Sequence, residues 1–304
     1  MLTKLTAIVA VLGLGLQAMA QTTKPVNDGL AAPTLTPTAP IRNNNEPPRK
    51  PGVPTLWLVG DSTMKVGTKG QQGWGTPFAT MFDPDKVRVI NRAIGGRSSR
   101  TFVTEGRWDA ILQDAEKGDY VIIQLGHNDG GPLNEKVLNS ATRARGTIKG
   151  VGEETEEVDN ILTKKHEVVH TFGWYIRKMV TEAQAKGLTP IVCSWVPHGP
   201  RTDKPFTYDP NPKPDGYRLY AQQVAEQTGA KYIDLYGLVW KTYEGKTPEE
   251  IKAAYFTAEE PNNTHSSPAG AKHNAEAVVE GLKQFKDVPL AGFLKPQAEG
   301  ATAK

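Results

Sequence analysis

Thr55-Leu-Trp-Leu-Val-Gly60 is a near-continuous apolar run that leads directly into Asp61-Ser62-Thr63-Met64. It lacks the apolar/polar alternation of a half-exposed strand, so it reads as a strand buried on both faces and ending in a polar loop. Working outward, similar short runs occur at Val87–Asn91, Tyr120–Leu125, Thr189–Ser194 and Lys231–Leu235. Between them lie stretches with helical spacing at Trp74–Met81, Trp108–Lys117, His170–Lys186, Gly216–Thr228 and Ala269–Lys286, the third of which ends on Gly187 as a C-cap. Strand and helix in alternation predict an α/β fold, a three-layer α/β/α sandwich on a parallel five-stranded sheet. In such sheets ligands bind beyond the carboxyl ends of the strands. The residues that follow each strand therefore carry the functional reading.

The 304 residues are 38% hydrophobic and 23% charged, an ordinary globular composition that excludes a disordered or collagen-like chain. A formal charge of +3, spread along the chain, gives no nucleic-acid footprint. The single cysteine, Cys193, falls in the fourth predicted strand and reads as packing, so the fold rests on its core and not on a disulfide. At the start, Lys4, the apolar run Leu5–Leu16 and Ala18-Met19-Ala20 form the three-part pattern of a cleavable signal peptide over 1–20. The pattern predicts a secreted or periplasmic protein. No later segment approaches the roughly 20 apolar residues of a membrane span, so no membrane partner is expected. Residues 21–54 are rich in Pro, Thr and Asn and read as a linker, 55–294 as the working domain, and 295–304 as a flexible tail.

Four loops stand out. The first strand delivers Ser62, a candidate nucleophile. The second is followed by Gly95-Gly96-Arg97-Ser98-Ser99-Arg100, where two glycines let backbone N–H groups approach a ligand. The third is followed by Gly126-His127-Asn128-Asp129-Gly130-Gly131, which offers the Asn128 amide as a donor. Finally Thr264-His265-Ser266-Ser267-Pro268-Ala269-Gly270 places a histidine just ahead of a helix whose first turn carries Pro268.

Together, in this order, the four blocks resemble the SGNH (GDSL-type) hydrolase superfamily. Gly-Asp-Ser-Thr-Met, Gly-Arg-Ser-Ser-Arg-Thr, Gly-His-Asn-Asp-Gly-Gly and Thr-His-Ser-Ser-Pro-Ala-Gly-Ala are closest to its rhamnogalacturonan acetylesterase group. The resemblance covers about Leu56 to Phe285 and implies a flavodoxin-like sheet. It implies Ser62 as nucleophile, His265 as its general base, and an oxyanion hole made by the N–H groups of Ser62 and Gly96 and the Asn128 amide. That set suits acyl transfer and requires no cofactor. The surroundings of Ser62, with Gly60 and Met64 two residues away on either side, are not the Gly-x-Ser-x-Gly elbow of the α/β-hydrolase fold.

At one position the chain departs from the pattern. The family has an aspartate three residues before the histidine, and Asn262 stands there. Asparagine accepts the histidine N–H through its carbonyl oxygen but brings no charge to the imidazolium. Three readings stay open: a Ser–His pair oriented by Asn262, a carboxylate supplied by Glu259 or Glu260, or a weakened enzyme. The expected function is a secreted carbohydrate acetylesterase acting on an acetylated plant cell-wall polysaccharide such as pectin. The alternative is a carbohydrate-binding protein on a silenced esterase fold.

A rival pattern is His166-Glu167-Val168-Val169-His170, which on a helix would put two zinc ligands on one face. It falls at the start of the predicted third helix, where entry of a helix from surface to core is the plainer reading. Residues 132–165 form a long insertion after the third strand, over the expected cleft, read either as an Arg–Glu laced surface element or as a lid. Arg97, Arg143 and Arg145 are candidates for pairing with a uronic acid carboxylate. Trp74, Trp108 and Trp174 are placed as core residues before sugar platforms, and His198 as a turn residue near the cleft.

Overall fold

The computed structural model describes residues 46–135, 144–200, 204–205, 207–211, 213, 216–258 and 264–296. The predicted signal peptide over 1–20, the rest of the chain up to residue 45, Arg143, Glu259, Glu260 and Asn262 lie outside them, as do the residues from 297 on.

Five strands form one parallel sheet: β1 (Thr55–Gly60), β2 (Arg88–Asn91), β3 (Tyr120–Gln124), β6 (Thr189–Cys193) and β7 (Lys231–Ile233), in the order β2-β1-β3-β6-β7. The other two strands, β4 (Thr155–Asp159) and β5 (His166–His170), pair antiparallel in a separate hairpin. All six residues of β1 are buried. Their alternation still decides the layers: Leu56 and Leu58 enter one core with Ile122, Ile191 and Cys193, while Trp57 and Val59 enter the other with Val121, Ile123 and Val192. Each large apolar side chain buried this way contributes about 1.5–3 kcal/mol, so both faces must be covered.

Helices supply the cover. On the first face α1 (Gly75–Thr80), α6 (Leu235–Thr242) and α7 (Pro248–Tyr255) pack on the long α8 (Pro268–Lys283). On the second, α2 (Ser99–Thr104) packs on α3 (Arg107–Asp114) and α4 (Phe172–Ala185), and α4 on α5 (Tyr217–Thr228). The expected three-layer α/β/α sandwich on five parallel strands is therefore found. Three short helices, α2, α6 and α7, and the hairpin are additions to the elements expected from sequence. A 3₁₀ turn over Pro289–Phe293 closes the described chain.

The domain's packing also reaches upstream of Thr55. Arg49 donates both terminal nitrogens to Asp119, at 3.0 and 2.7 Å, and Glu46 pairs with the nearly buried Arg92. Burial opposes the charge on Asp119, but Arg49 and the N–H groups of Thr55, Glu116 and Trp57 hold its carboxyl below the usual range. Residues 46–49 thus strap the edge of the sheet.

The sequence order places the chain reversal beside β1, with β2 on one side and β3 on the other. Loops leaving β1 and β3 diverge at that point and open the crevice that such sheets use for ligands. Ser62 lies two residues beyond β1, and His127 and Asn128 just beyond β3.

Candidate active site

The β1 strand hands the chain to a tight turn in which Met64 and Lys65 N–H groups both donate to Asp61 O, at 3.2 and 3.0 Å. The Asp61 side chain caps the same turn, its Oδ1 accepting from Thr63 N at 2.9 Å and Thr63 Oγ1 at 2.8 Å. Behind it, Trp74 N donates to Thr63 O, and Trp74 Nε1 to the buried Gln124 Oε1 at 2.8 Å. Ser62 is the partly exposed residue in an otherwise buried stretch from Thr55 to Met64.

His265 comes from the other end of the sequence and meets it, with Nε2 2.8 Å from Ser62 Oγ. The histidine's loop is pinned on both sides. Ser266 bridges to Phe256 and accepts from Gln72 N at 2.8 Å, and Ser267 N donates to Tyr255 O at 3.0 Å. Ser267 also caps α8 by accepting from Gly270 N at 3.2 Å. A side chain at Gly270 would meet Tyr255 O at 2.1 Å, so only glycine lets the helix start this close to α7.

The glycine loop after β2 lies against Ser62: a Cβ on Gly95 would stand 3.5 Å from Ser62 Cβ. Gly96 has φ +79°, a left-handed conformation that favours glycine. Two arginines fix its peptides, Arg97 Nη1 donating to Gly95 O at 3.1 Å and Arg145 Nη1 to Gly96 O at 2.8 Å. Because Gly95 O and Gly96 N–H belong to one peptide, the Arg97 contact sets the direction of that N–H. Asn128 completes the set. Its Nδ2 donates to Arg97 O at 2.9 Å, which fixes the amide face and leaves its second hydrogen for a ligand.

The structure thus brings Ser62, Gly96, Asn128 and His265 to one end of the sheet. Arg97 and Arg145, considered from sequence as carboxylate partners, hold the backbone of the glycine loop. Trp74 and Trp108 are fully buried core residues, and Trp174 stacks on His170 at 3.7 Å between ring centroids. Cys193 is buried, and burial pushes its thiol well up. His198 lies near the site, its Nδ1 3.1 Å from Thr264 Oγ1.

The His166–His170 segment is corrected by the structure: it is a strand, and α4 begins only at Phe172. Four strand residues span about 13 Å, so the two histidines are too far apart for one zinc ion with ligands at about 2.1 Å. His166 instead meets Asp159, its cross-strand partner, at 3.0 Å. Glu167 pairs with the fully buried Arg100 at 2.6 Å, and Arg100 also donates to Leu133 O and Gly146 O. The pattern is the root of the hairpin. Among the described residues no group of three His, Cys, Asp or Glu side chains gathers as a metal site requires.

Sequence reasoning missed the buried polar groups behind the site. Asp61 and Asp129 are both fully buried. Asp129 Oδ1 accepts from Ser99 N at 3.0 Å and Ser99 Oγ at 2.5 Å, while Oδ2 has no partner. Burial above all, and then the charge of Asp61, push its carboxyl up to about 7 against the Ser99 and Thr147 hydrogen bonds. A signal was present in the sequence: each aspartate adjoins a residue chosen for catalysis.

A serine and histidine in contact at the switch point of a parallel α/β/α sheet, beside the glycine loop and Asn128, form an arrangement that suits a carboxylic ester hydrolase. The chain belongs to the GDSL-like Lipase/Acylhydrolase family, whose model matches residues 58–273. It is 33% identical over 229 residues to the rhamnogalacturonan acetylesterase of Emericella nidulans, covering 75% of this chain and 84% of that one. The probable rhamnogalacturonan acetylesterase YesY of Bacillus subtilis is 30% identical over 233 residues, 76% of this chain and 93% of that one. Among solved structures, Bacillus subtilis protein YXIM superposes with TM-score 0.55 at 25% identity over 76% of this chain. This chain spans 56% of the length of that structure.

Proposed function

We propose that this chain is an exported serine esterase that removes acetyl groups from a plant cell-wall polysaccharide of the pectin or rhamnogalacturonan type. The 2.8 Å contact between His265 Nε2 and Ser62 Oγ carries the reading. In the reacting tautomer Nε2 accepts the serine proton as Oγ attacks the acetyl carbonyl. The carbonyl oxygen becomes an oxyanion, met by the N–H groups of Ser62 and Gly96 and the Asn128 amide, each donor worth about 10²–10³ in rate. Collapse breaks the ester C–O bond, and His265 returns its proton to the departing sugar oxygen. An acetyl-Ser62 ester remains. Water, deprotonated by His265, attacks that ester in the same way, and acetate leaves with Ser62 restored.

Two lines support acetyl groups on a polysaccharide: the rhamnogalacturonan acetylesterase activity for which the two relatives are named, and their coverage of most of this chain. Export is supported by the pattern Lys4, Leu5–Leu16 and Ala18-Met19-Ala20. The test is acetate release from acetylated pectin and from a small aryl acetate, wild type against Ser62→Ala. Release by the wild type and none by the variant is expected. No release by the folded wild type, with release appearing in Asn262→Asp, would mean a silenced esterase that binds carbohydrate.

A further inference from the structure

His127 follows β3 and its side chain is 3% exposed, yet both ring nitrogens face oxygen. Nε2 lies 3.0 Å from Val196 O, and a carbonyl only accepts, so Nε2 carries a hydrogen. Nδ1 lies 3.3 Å from Asp61 Oδ2. Each of these two buried atoms lacks any well-aimed hydrogen bond elsewhere, so each is the other's partner. One proton must lie between them, on the carboxyl as a neutral pair or on the ring as an ion pair.

The surroundings decide its place. Asp61 Oδ1 already accepts two hydrogen bonds from Thr63, which favour the charged carboxylate. Burial opposes that charge, and the Thr63 N–H and hydroxyl support it whatever the state of the ring. The other groups around the imidazole are the Trp195 ring at 5.0 Å, the His198 ring at 5.3 Å and, through Asp61, the buried Asp129. None of them takes the Nδ1 proton.

We propose that Asp61 and His127 form a buried ion pair that positions the nucleophile against the oxyanion donor. Asp61 is bonded in sequence to Ser62 and His127 to Asn128, so the pair ties the loop leaving β1 to the loop leaving β3 across the switch point. Neither residue reaches the reacting atoms. They act by fixing where Ser62 Oγ stands relative to the Asn128 amide, a relation whose loosening by about 1 Å can cost about 10²-fold in rate. The kinetic consequence rests on the esterase reading above, and the protonation state does not.

The test therefore has two arms on the full-length protein. The first is ring-nitrogen NMR of histidine-labelled protein, with His127 assigned by loss of its signals in His127→Gln. Two protonated nitrogens in the wild type are expected. In Asp61→Asn the side-chain amide donates to Nδ1 while its oxygen keeps the Thr63 bonds, so a neutral ring protonated at Nε2 is expected. A neutral His127 in the wild type would overturn the ion pair whether or not the protein turns over any ester.

The second arm is kinetics on a small aryl acetate. His127→Ala should lower kcat about 10- to 100-fold with KM little changed, and Asp61→Asn should lose less because the link persists. A purely structural role would lower thermal stability and leave kcat of the folded variant unchanged, which would overturn positioning. If the wild type hydrolyses no ester, the functional reading fails while the NMR arm still decides the pair.

Discussion

Asp129→Asn separates the charge of a buried carboxyl from its shape. The native group binds its proton up to about pH 7, against an ordinary carboxyl value of 3.8. A rise of about three pH units at about 1.4 kcal/mol each makes its ionisation cost the fold about 4 kcal/mol. The sign follows from proton binding: between these values the folded chain holds a proton that the unfolded chain has lost. Wild-type stability therefore falls as pH rises from about 4 through about 7, whereas asparagine does not titrate. Any fixed cost of the amide cancels when one variant is compared with itself across pH.

Urea unfolding at pH 5 and pH 8, with each free energy extrapolated to water, gives the comparison. Relative to wild type, Asp129→Asn should gain about 3 kcal/mol between the two pH values, the larger part of the full 4, which lies in that window. The gain should shrink in an Asp61→Asn background, because the Asp61 charge contributes to the rise. A stability difference that is flat with pH would refute the buried, high-pH ionisation.

Gly270→Ala should destabilise by about 1–3 kcal/mol and lower kcat together, since its Cβ would strike Tyr255 O and shift the His265 loop; thermal melts and aryl acetate kinetics check both. Arg100→Ala should cost about 3–5 kcal/mol in urea unfolding by leaving Glu167 unpaired, and Arg100→Met with Glu167→Gln should cost less. Asn262→Asp should raise kcat for acetate release, up to the roughly 10⁴ that a triad aspartate supplies in a serine protease. Unchanged kcat would mean that another group orients His265. Chelation should leave the activity unaltered, because His166 and His170 are held apart on a strand.

The sheet was legible because β1, β3 and β6 are near-continuously apolar, a pattern that parallel burial imposes whatever surrounds it. The short helices were not. Six-residue α2 is set by its Ser98 and Thr101 capping box, and α7 by Thr247 and Glu250, contacts too local to give a helical period. The hairpin misled for a physical reason: residues four apart share a face in a strand as they do in a helix, so His166-Glu167-Val168-Val169-His170 fits both. The partners that settle it, Arg100 and Asp159, are remote in sequence or lie across the turn. At the site, Ser62, Gly96, Asn128 and His265 were each visible as polar or glycine residues in strand-end loops. Asp61, His127 and Asp129 lie in those same loops, but their roles depend on being buried, which spacing does not report.

The most direct measurement of the central claim is the mass of the protein during turnover of a small aryl acetate, with the modified peptide mapped. The account predicts one added acetyl group, on the peptide carrying Ser62, formed at the rate of the initial burst and absent in Ser62→Ala. Acetate release without any such adduct, undiminished in Ser62→Ala, would contradict it.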